Sequence, residues 1–411
     1  MLLTEGPGKP TMVEKVLISI FIITITAKIQ INSMAIGLLA AWWLVAGRYR
    51  LSFAVLKDSK IFLTLFAYYI MHVVSMIYSS NLPYGLRTLE TKSSLVALPI
   101  LLCGIRWDIN LRNYTLKLYV ITVIVTTLVS LVSTVIEYGF NINDLSYFSW
   151  VLPLTIDLPS NYYALFVVFA LIVLIFGTLK SSFQIKKPLA IAGVIYLLLF
   201  LALLSSRASF FAFFLILLIY FGRLIVSGKK EARRAGIIAT LVTCVLASVL
   251  VVSVPYLRDR VSQVVRGLDH DPRYPVFKSC LEVISTYPIF GVGIGDVQDV
   301  LQETYKKHNF QEAYMNRYNP HNDLLQIQVT TGIVGTSLYL FLIFQMLRYI
   351  WVERNIFMIS FVVLYLIASV SESVLERNKG VVFFAFFLTV IFILKLMTPT
   401  QNTRMQNVED S

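Results

Sequence analysis

Residues 160–179 carry the sequence SNYYALFVVFALIVLIFGTL, twenty residues without a charged side chain. A helix of this length is about 30 Å long, which matches the thickness of the hydrocarbon layer of a membrane. Similar apolar runs recur throughout the 411 residues, of which 57% are hydrophobic and 14% are charged. Soluble domains are about 45–50% apolar and about 25% charged. The sequence therefore predicts an all-α, polytopic membrane protein.

Outward from this segment, the apolar runs predict about twelve transmembrane helices. These cover approximately residues 14–30, 33–47, 61–79, 93–105, 114–136, 160–179, 188–204, 208–226, 235–256, 322–347, 356–374 and 380–397. Lys28 and Asn32 favour a break between the first two, because buried polar groups are costly in lipid. The first segment is expected to be a retained span, not a cleaved signal peptide. The predicted organisation is residues 1–256 with helices 1–9, a large loop subdomain over 257–320, helices 10–12 within 321–397, and a polar tail over 398–411.

The placement of Lys and Arg predicts the orientation of these helices. The even-numbered short connections carry sixteen such residues and the odd-numbered ones carry six, and Lys and Arg accumulate on the cytoplasmic side. Both termini are therefore expected in the cytoplasm, and the 257–320 loop on the opposite, outer face. The same excess accounts for the net charge of +12, so no nucleic-acid partner is predicted.

The sequence predicts neither a disulfide framework nor a metal site. Cys103 and Cys244 lie in apolar segments, and Cys280 is alone in its loop. No cluster of His, Asp and Glu residues has the spacing of metal ligands. His270 and His308 have too little sequence context to carry a function.

The predicted topology brings six polar features to the outer face. They are Lys92 at the start of the fourth span, Arg207 in SSRASF (205–210), Arg273 in DPRYPVF (271–277), PIFGVGIGD (288–296), the His321-Asn322 pair, and ESVLERNKG (372–380). GVGIGD is expected to be a backbone turn, because it lacks the strand–turn–helix context of a nucleotide-binding motif. The acidic and basic side chains of 372–380 either pair with one another or belong to a site.

His321 is the candidate general base of this face. Pro320 precedes it, and Asn322 is expected to cap the helix that follows. The partial positive charge of a helix N-terminus disfavours imidazolium, and a base must be neutral. An interfacial anchoring histidine is the alternative interpretation. Gly332 and Gly335, deeper in the same helix, are expected to allow close packing between helices.

Cations at the outer face are candidates for binding an anion. Arg207 and Arg273 stand out, together with Lys92, Arg377 and Arg87. Taken singly, Arg207 could be a snorkelling interfacial side chain and Arg273 a solvated loop charge. Arg binds phosphate in a bidentate manner and Lys acts as a point charge. As a set, they favour a lipid phosphate or diphosphate as the ligand.

Three of these motifs, in this order, resemble the O-antigen ligase family of bacterial envelopes. The family signature is His, then Asn, Ser or Gln, nine residues, Gly, two residues, and Gly, Thr or Tyr, which fits His321, Asn322, Gly332 and Gly335. SSRASF resembles the Ser-Arg stretch that opens a transmembrane helix in the family. RYPVFKSCLEVISTYPIFGVGIGD (273–296) is similar to its outer loop, although the family usually has Trp where Phe277 stands. The resemblance covers roughly residues 60–395.

The resemblance implies a GT-C-like membrane glycosyltransferase of the bacterial inner membrane, active at the periplasmic face. Such enzymes take a glycan from undecaprenyl diphosphate, and the ligases pass it to lipid A–core. No metal, nucleotide sugar or other cofactor is implied. The family's essential His and outer arginines correspond to His321, Arg207 and Arg273 as catalytic residues. Lys92, Asn322, Arg377 and Arg87 are then expected to bind substrate.

Two alternatives stay open at the level of the sequence. A polymerase of O-antigen or exopolysaccharide would share the fold and the cationic face but use a second lipid-linked unit as the acceptor. A lipid-linked glycan flippase is the weaker alternative, because transporters usually show internal repeats and midplane charges, and neither is visible here. The sequence does not indicate the sugar or the oligomeric state.

Overall fold

The computed structural model describes residues 9–139, 147–179, 183, 185–253 and 273–397. In these residues every regular element is a helix, which confirms the all-α class. The predicted tail over 398–411, the first part of the predicted loop subdomain and His270 lie outside the described residues. The helices are α1 (Met12–Thr24), α2 (Ile29–Val45), α3 (Tyr49–Leu56), α4 (Lys60–Ser75), α5 (Leu82–Lys92), α6 (Ser94–Cys103), α7 (Ile109–Tyr138), α8 (Phe148–Ile156), α9 (Ser160–Leu179), α10 (Lys187–Leu204), α11 (Arg207–Val226), α12 (Lys230–Ser253), α13 (Tyr274–Thr286), α14 (Val297–Lys307), α15 (Gln311–Met315), α16 (Asp323–Glu353), α17 (Ile356–Ser371) and α18 (Asn378–Met397).

Several of these helices are long and apolar enough to cross a membrane. Within the described residues there are six, or seven if α2 and α3, which meet at a bend of 100°, form one broken span. Three further apolar helices are shorter. The polytopic membrane character is thereby confirmed, whereas the number of twelve spans stays a prediction. The expected break near Lys28 is present, because α1 ends at Thr24 and α2 begins at Ile29.

The core of the bundle is built around α9 and α18. Both helices are apolar on all sides and almost completely buried, as expected for a helix enclosed by others. Aromatic rings join them to each other and to neighbouring helices. The ring centroid of Phe387 in α18 lies 4.6 Å from that of Phe169 and 4.7 Å from that of Tyr119, and the centroids of Phe386 and Phe21 are 4.6 Å apart. This core fixes the N-terminal end of α18, into which the segment 372–380 leads.

Helices α13, α14 and α15 form a small subdomain with its own apolar core, called the outer subdomain after the face on which the sequence predicts it. Val276, Cys280, Leu301 and Tyr305 are buried in it, and Val329 of α16 packs against them. Burial raises the pKa of the Cys280 thiol to about 12, so this cysteine is a protonated, apolar core residue. The contact with Val329 attaches the subdomain to the helix that follows His321.

The subdomain is also attached through a break in α16. Gly332 has φ 61° and ψ −158°, which interrupts the helix. The glycine loop, residues 288–296, enters this break. Val292 N–H donates to the Val329 carbonyl (2.9 Å), and Ile333 N–H donates to the Pro288 carbonyl (3.0 Å). The loop therefore satisfies backbone groups that the broken helix leaves unpaired.

The glycines are required by how closely these backbones approach. A Cβ on Gly332 would collide with the Ile289 carbonyl, and one on Gly291 would lie 2.5 Å from the carbonyl carbon of Thr330. The expected helix–helix packing role is therefore wrong for Gly332, whose close neighbour is the loop backbone. Gly335 has a different reason, since a Cβ there would collide with the Thr331 hydroxyl one turn earlier.

The other side of the glycine loop is held by the connection between α4 and α5. Ser75 Oγ accepts from Ile294 N–H (3.2 Å), and Ser79 Oγ accepts from Gly295 N–H (3.0 Å). The Asp296 carboxylate accepts from the N–H groups of Ser80 and Asn81 at 2.8–3.0 Å. The predicted backbone turn is thus a clamp between α4 and α16, and it sets the position of the outer subdomain.

Replacing Gly332 by Ala is expected to lower the free energy of unfolding by about 1–3 kcal/mol, because its φ and ψ lie in a region that essentially only glycine adopts. The measurement is thermal unfolding of the purified protein in detergent. Gly222→Ala is the matched control, since Gly222 lies inside α11 with open space around its Cα. Alanine is favoured over glycine inside a helix, so the control should not be destabilised. Equal melting temperatures for wild type and Gly332→Ala would contradict the role of the break.

Candidate functional site

His321 lies directly before the N-terminus of α16. Asn322 is the N-cap residue, as predicted, and its Oδ1 accepts from Leu325 N–H at 3.0 Å. His321 has φ +48°, and its N–H donates to Asn319 Oδ1 at 3.2 Å. Its side chain is 30% exposed. The sharp turn before the cap therefore leaves the imidazole partly accessible at the N-terminal end of the helix.

A carboxylate that follows α17 contacts this imidazole. His321 Nδ1 lies 3.3 Å from Glu372 Oε2, and Asn161 Nδ2 donates to Glu372 Oε1 at 2.5 Å. The Tyr318 ring and the imidazole pack in a T-shaped arrangement, with ring centroids 5.6 Å apart. When Nδ1 carries the proton and donates a hydrogen bond to Glu372, Nε2 keeps its lone pair and can accept a proton. This is the arrangement of a histidine base oriented by a carboxylate.

The two members of this pair are held together by contacts on either side of them. Asn322 N–H donates to Ser373 Oγ (3.2 Å), and Asn322 Nδ2 donates to the Val370 carbonyl (3.1 Å). One residue further along, the buried Asp323 accepts from Leu375 N–H (3.0 Å). The start of α16 and the segment 370–375 therefore form one unit that carries both His321 and Glu372.

Lys92 occupies a different place from the one predicted for a substrate ligand. Its side chain is fully buried at the end of α5. The ammonium forms an ion pair with Glu376 and donates to the Leu375 carbonyl at 2.9 Å. The structure thus places this charge inside the protein, on the short 3₁₀ turn Val374–Glu376 that follows Glu372.

A polar cavity of about 470 Å³ opens beside His321, between α5, the outer subdomain and the start of α16. Three arginines line it, namely Arg87, Arg317 and Arg377, with Glu376 as the acidic residue. Three positive charges against one carboxylate favour an anionic ligand. The predicted substrate ligands Arg87 and Arg377 are thereby brought together with His321. Arg317 was missed by sequence reasoning, and its place four residues before His321 is the signal that could have indicated it.

Neutral polar side chains complete the cavity wall. Tyr84, Tyr318, Gln298 and Gln326 are among them. Partial burial, and then the nearby Glu376 carboxylate, raise the pKa of the Tyr84 phenol, so it keeps its proton and can donate. Amides and phenols offer both donors and acceptors to hydroxyl groups. The cavity can therefore hold a ligand that combines negative charge with many hydroxyls, as an acidic sugar does.

A second, smaller cleft lies between α9, α11 and α17, with a volume of about 20 Å³. Its wall is mainly apolar, with Leu165, Leu364 and Ala368 contributing, and Glu372 lies at its edge. Arg207 begins α11 between Ser206 and Ala208, which both line the cleft, and its side chain is exposed. The His321–Glu372 pair therefore joins the two spaces, because His321 lines the cavity and Glu372 lines the cleft.

The predicted catalytic residue Arg273 and the histidine His308 both stand apart from this pair. Arg273 is the N-cap residue of α13, half-buried, and is not among the residues that line the cavity or the cleft. His308 lies in the outer subdomain, where its Nε2 is 2.5 Å from Glu282 Oε2. Hydrogen bonds from Lys307 and His308 lower the pKa of the Glu282 carboxyl. Across the parts of the chain that the structure describes, no three His, Cys, Asp or Glu side chains gather as metal ligands would.

Comparison with known protein families gives independent support for the family resemblance. Residues 192–340 match the model of the family described as O-antigen ligase. The match contains Arg207, the outer subdomain, His321 and the glycine pair Gly332 and Gly335. It confirms the family resemblance and indicates a membrane glycan transferase of the ligase or polymerase type. A comparison with curated proteins finds none that matches this chain.

Proposed function

We propose that this protein is an O-antigen ligase that transfers a glycan from undecaprenyl diphosphate to lipid A–core at the periplasmic face of the bacterial inner membrane. The observation that carries the proposal is the His321–Glu372 pair at the N-terminus of α16, next to the arginine-lined cavity. Transfer of a sugar from a diphosphate needs a general base for the attacking hydroxyl and positive charge for the leaving group. The histidine oriented by a carboxylate and the neighbouring arginine side chains supply these groups.

The reaction follows from the roles of these groups. His321 Nε2 accepts the proton of the attacking sugar hydroxyl while Glu372 stabilises the imidazolium that forms. The hydroxyl oxygen forms a new bond to the anomeric carbon, and the bond from that carbon to the diphosphate oxygen breaks. The prenyl diphosphate leaves with the electron pair. A single displacement of this kind inverts the anomeric configuration and requires no metal or nucleotide.

The leaving diphosphate needs positive charge at the junction of the cleft and the cavity. Arg207 begins the helix that borders the apolar cleft, and Arg377 lines the cavity on the other side of the pair. Arginine binds phosphate oxygens in a bidentate manner, and preorganised cations lower the barrier most where charge develops. We assign diphosphate binding to Arg207 and Arg377, and keep Arg273 as a proposed contributor from the start of α13.

A polymerase is the second candidate, because the same pair and cations would serve a second lipid-linked glycan as the acceptor. The family description and the complete His-Asn-x9-Gly-x-x-Gly string favour the ligase. A flippase would have no use for a histidine base.

The test is glycan transfer by the purified full-length protein. An undecaprenyl-diphosphate glycan is supplied with lipid A–core in one reaction and with more lipid-linked glycan alone in another, both containing EDTA. Modified lipid A–core supports the ligase, and a ladder on the prenyl lipid supports the polymerase. Absence of transfer in both reactions contradicts the proposed function. A product that retains the anomeric configuration of the donor contradicts the proposed single displacement.

Replacing Glu372 by Gln is expected to lower kcat by at least about tenfold, a part of the about 10²- to 10⁴-fold that a general base contributes. The amide keeps the shape but removes the charge that stabilises the imidazolium, so KM should change little. Glu372→Asp is expected to restore part of kcat. Glu303→Gln, on the exposed side of α14, is the matched control. A change confined to KM would contradict the orienting role.

A further inference from the structure

The cavity contains unsatisfied amide groups in addition to its arginines. Gln298 is 7% exposed and Gln326 is 6% exposed, and both line the cavity. Within the described residues, Gln298 Nε2 and Gln326 Oε1 have no hydrogen-bond partner. A buried polar atom without a partner costs about 1–3 kcal/mol. One donor and one acceptor, on α14 and α16, are thus placed where a hydroxylated ligand could satisfy both.

The positive charge of the cavity is also incompletely neutralised. Glu376 is the carboxylate in its wall, and it is already paired with Lys92. Arg317 lies 3.9 Å from Asp299, a long contact between two exposed side chains that contributes little. Arg87 is exposed on α5. These two arginines come from different segments that line the same cavity, α5 and the chain before His321, so an anion bound in the cavity could contact both.

The two spaces beside His321, the cavity and the cleft, differ in polarity, and this difference indicates which substrate each would hold. The cleft between α9, α11 and α17 is narrow and mainly apolar. Its apolar wall suits a prenyl chain by its chemistry, and at about 20 Å³ it must widen to admit one. The cavity is polar and is bounded by α5 and the outer subdomain, with room of about 470 Å³. It suits the sugar that carries the attacking hydroxyl.

We propose that the cavity is the acceptor subsite and that it selects an acidic sugar, with Arg87 and Arg317 binding a phosphate or carboxylate substituent and Gln298 and Gln326 binding its hydroxyls. The role of the bound sugar as acceptor rests on the proposed function, whereas the binding of an acidic sugar in the cavity does not. The donor reaches His321 from the opposite side, through the cleft at Arg207. A neutral acceptor sugar would offer neither arginine a negatively charged group and should bind more weakly.

The first experiment measures binding without transfer. Full-length protein in detergent is titrated calorimetrically with glucose 6-phosphate, glucuronate, glucose and inorganic phosphate. The wild type should bind one or both acidic sugars more tightly than glucose and inorganic phosphate, and the stronger of the two identifies the substituent. The Arg87→Gln, Arg317→Gln double variant should bind about tenfold more weakly or worse. Both side chains are exposed, so the variant should fold, and Lys306→Gln on α14 is the control for the loss of an exposed positive charge.

The second experiment measures KM for each substrate in the transfer assay. The double variant should raise the KM for the acceptor about tenfold or more and leave the KM for the donor within about twofold. A raised KM for the donor alone, or inorganic phosphate binding as tightly as the acidic sugars, would overturn the inference. If transfer is absent while acidic sugars still bind through the two arginines, the proposed function fails and the acidic-sugar site stands.

Discussion

A His321→Ala variant is expected to lose glycan transfer by about 10²- to 10⁴-fold, the usual contribution of a general base. The methyl group cannot accept the proton of the acceptor hydroxyl, so the loss should appear in kcat. The fold should be retained, because Asn322 still caps α16 and the side chain at 321 is 30% exposed rather than part of the core. The measurement is the initial rate of product formation at saturating donor and acceptor.

The chain offers a close control for this variant. His308 lies in the outer subdomain and, like His321, contacts a glutamate, Glu282, but it does not line the cavity. His308→Ala should keep transfer near the wild-type rate. Equal losses in both histidine variants would indicate damage to the subdomain, and undiminished transfer by His321→Ala would require another base.

The position of His321 could be predicted from the sequence because its determinants are local. Pro320, Asn322 and the apolar run that follows are adjacent in the chain, and an N-cap is a property of such a short stretch. The partner Glu372 is 51 residues away, across α16 and α17. Only the packing of those two helices brings the carboxylate to Nδ1, so the sequence left its role open between internal pairing and the site.

Lys92 shows the corresponding limit for charges. Its place at the start of a predicted span indicated the outer face, but hydropathy does not tell which way a side chain points. Gly332 shows the limit for glycines, since its spacing from Gly335 fits both tight helix packing and a helix break. The break depends on the loop from Pro288 to Gly293, about forty residues earlier in the sequence, docking on α16.

The helix count was harder to predict than the class. Average hydropathy marks membrane character reliably, but it does not register a bend such as the 100° turn between α2 and α3. It also overlooks α5, an amphipathic helix of eleven residues that separates α4 from α6 and carries Tyr84 and Arg87 into the cavity. Part of the site is thus built from an element that a search for apolar runs passes over.

Replacing Lys92 by Met is expected to lower the free energy of unfolding by about 3 kcal/mol, at the lower end of the about 3–5 kcal/mol found when one partner of a buried ion pair is removed. The lower end applies because Glu376 keeps 13% of its side chain exposed. The variant leaves the Glu376 carboxylate and the Leu375 carbonyl without their cation. The measurement is thermal and chemical unfolding in detergent, with the exposed Lys57→Met as the control.

The double variant Lys92→Met, Glu376→Gln separates a structural role of Lys92 from a catalytic one. Removing both charges should recover much of the lost stability, because no uncompensated charge remains buried. Transfer should recover with it, since Lys92 acts on the site by holding the turn between Glu372 and Arg377. If Lys92→Met instead unfolds like the wild type and raises the KM for the lipid-linked donor, the ammonium must reach the diphosphate. The substrate-binding role indicated by the sequence would then be correct, and the ion pair with Glu376 would have to open during the reaction.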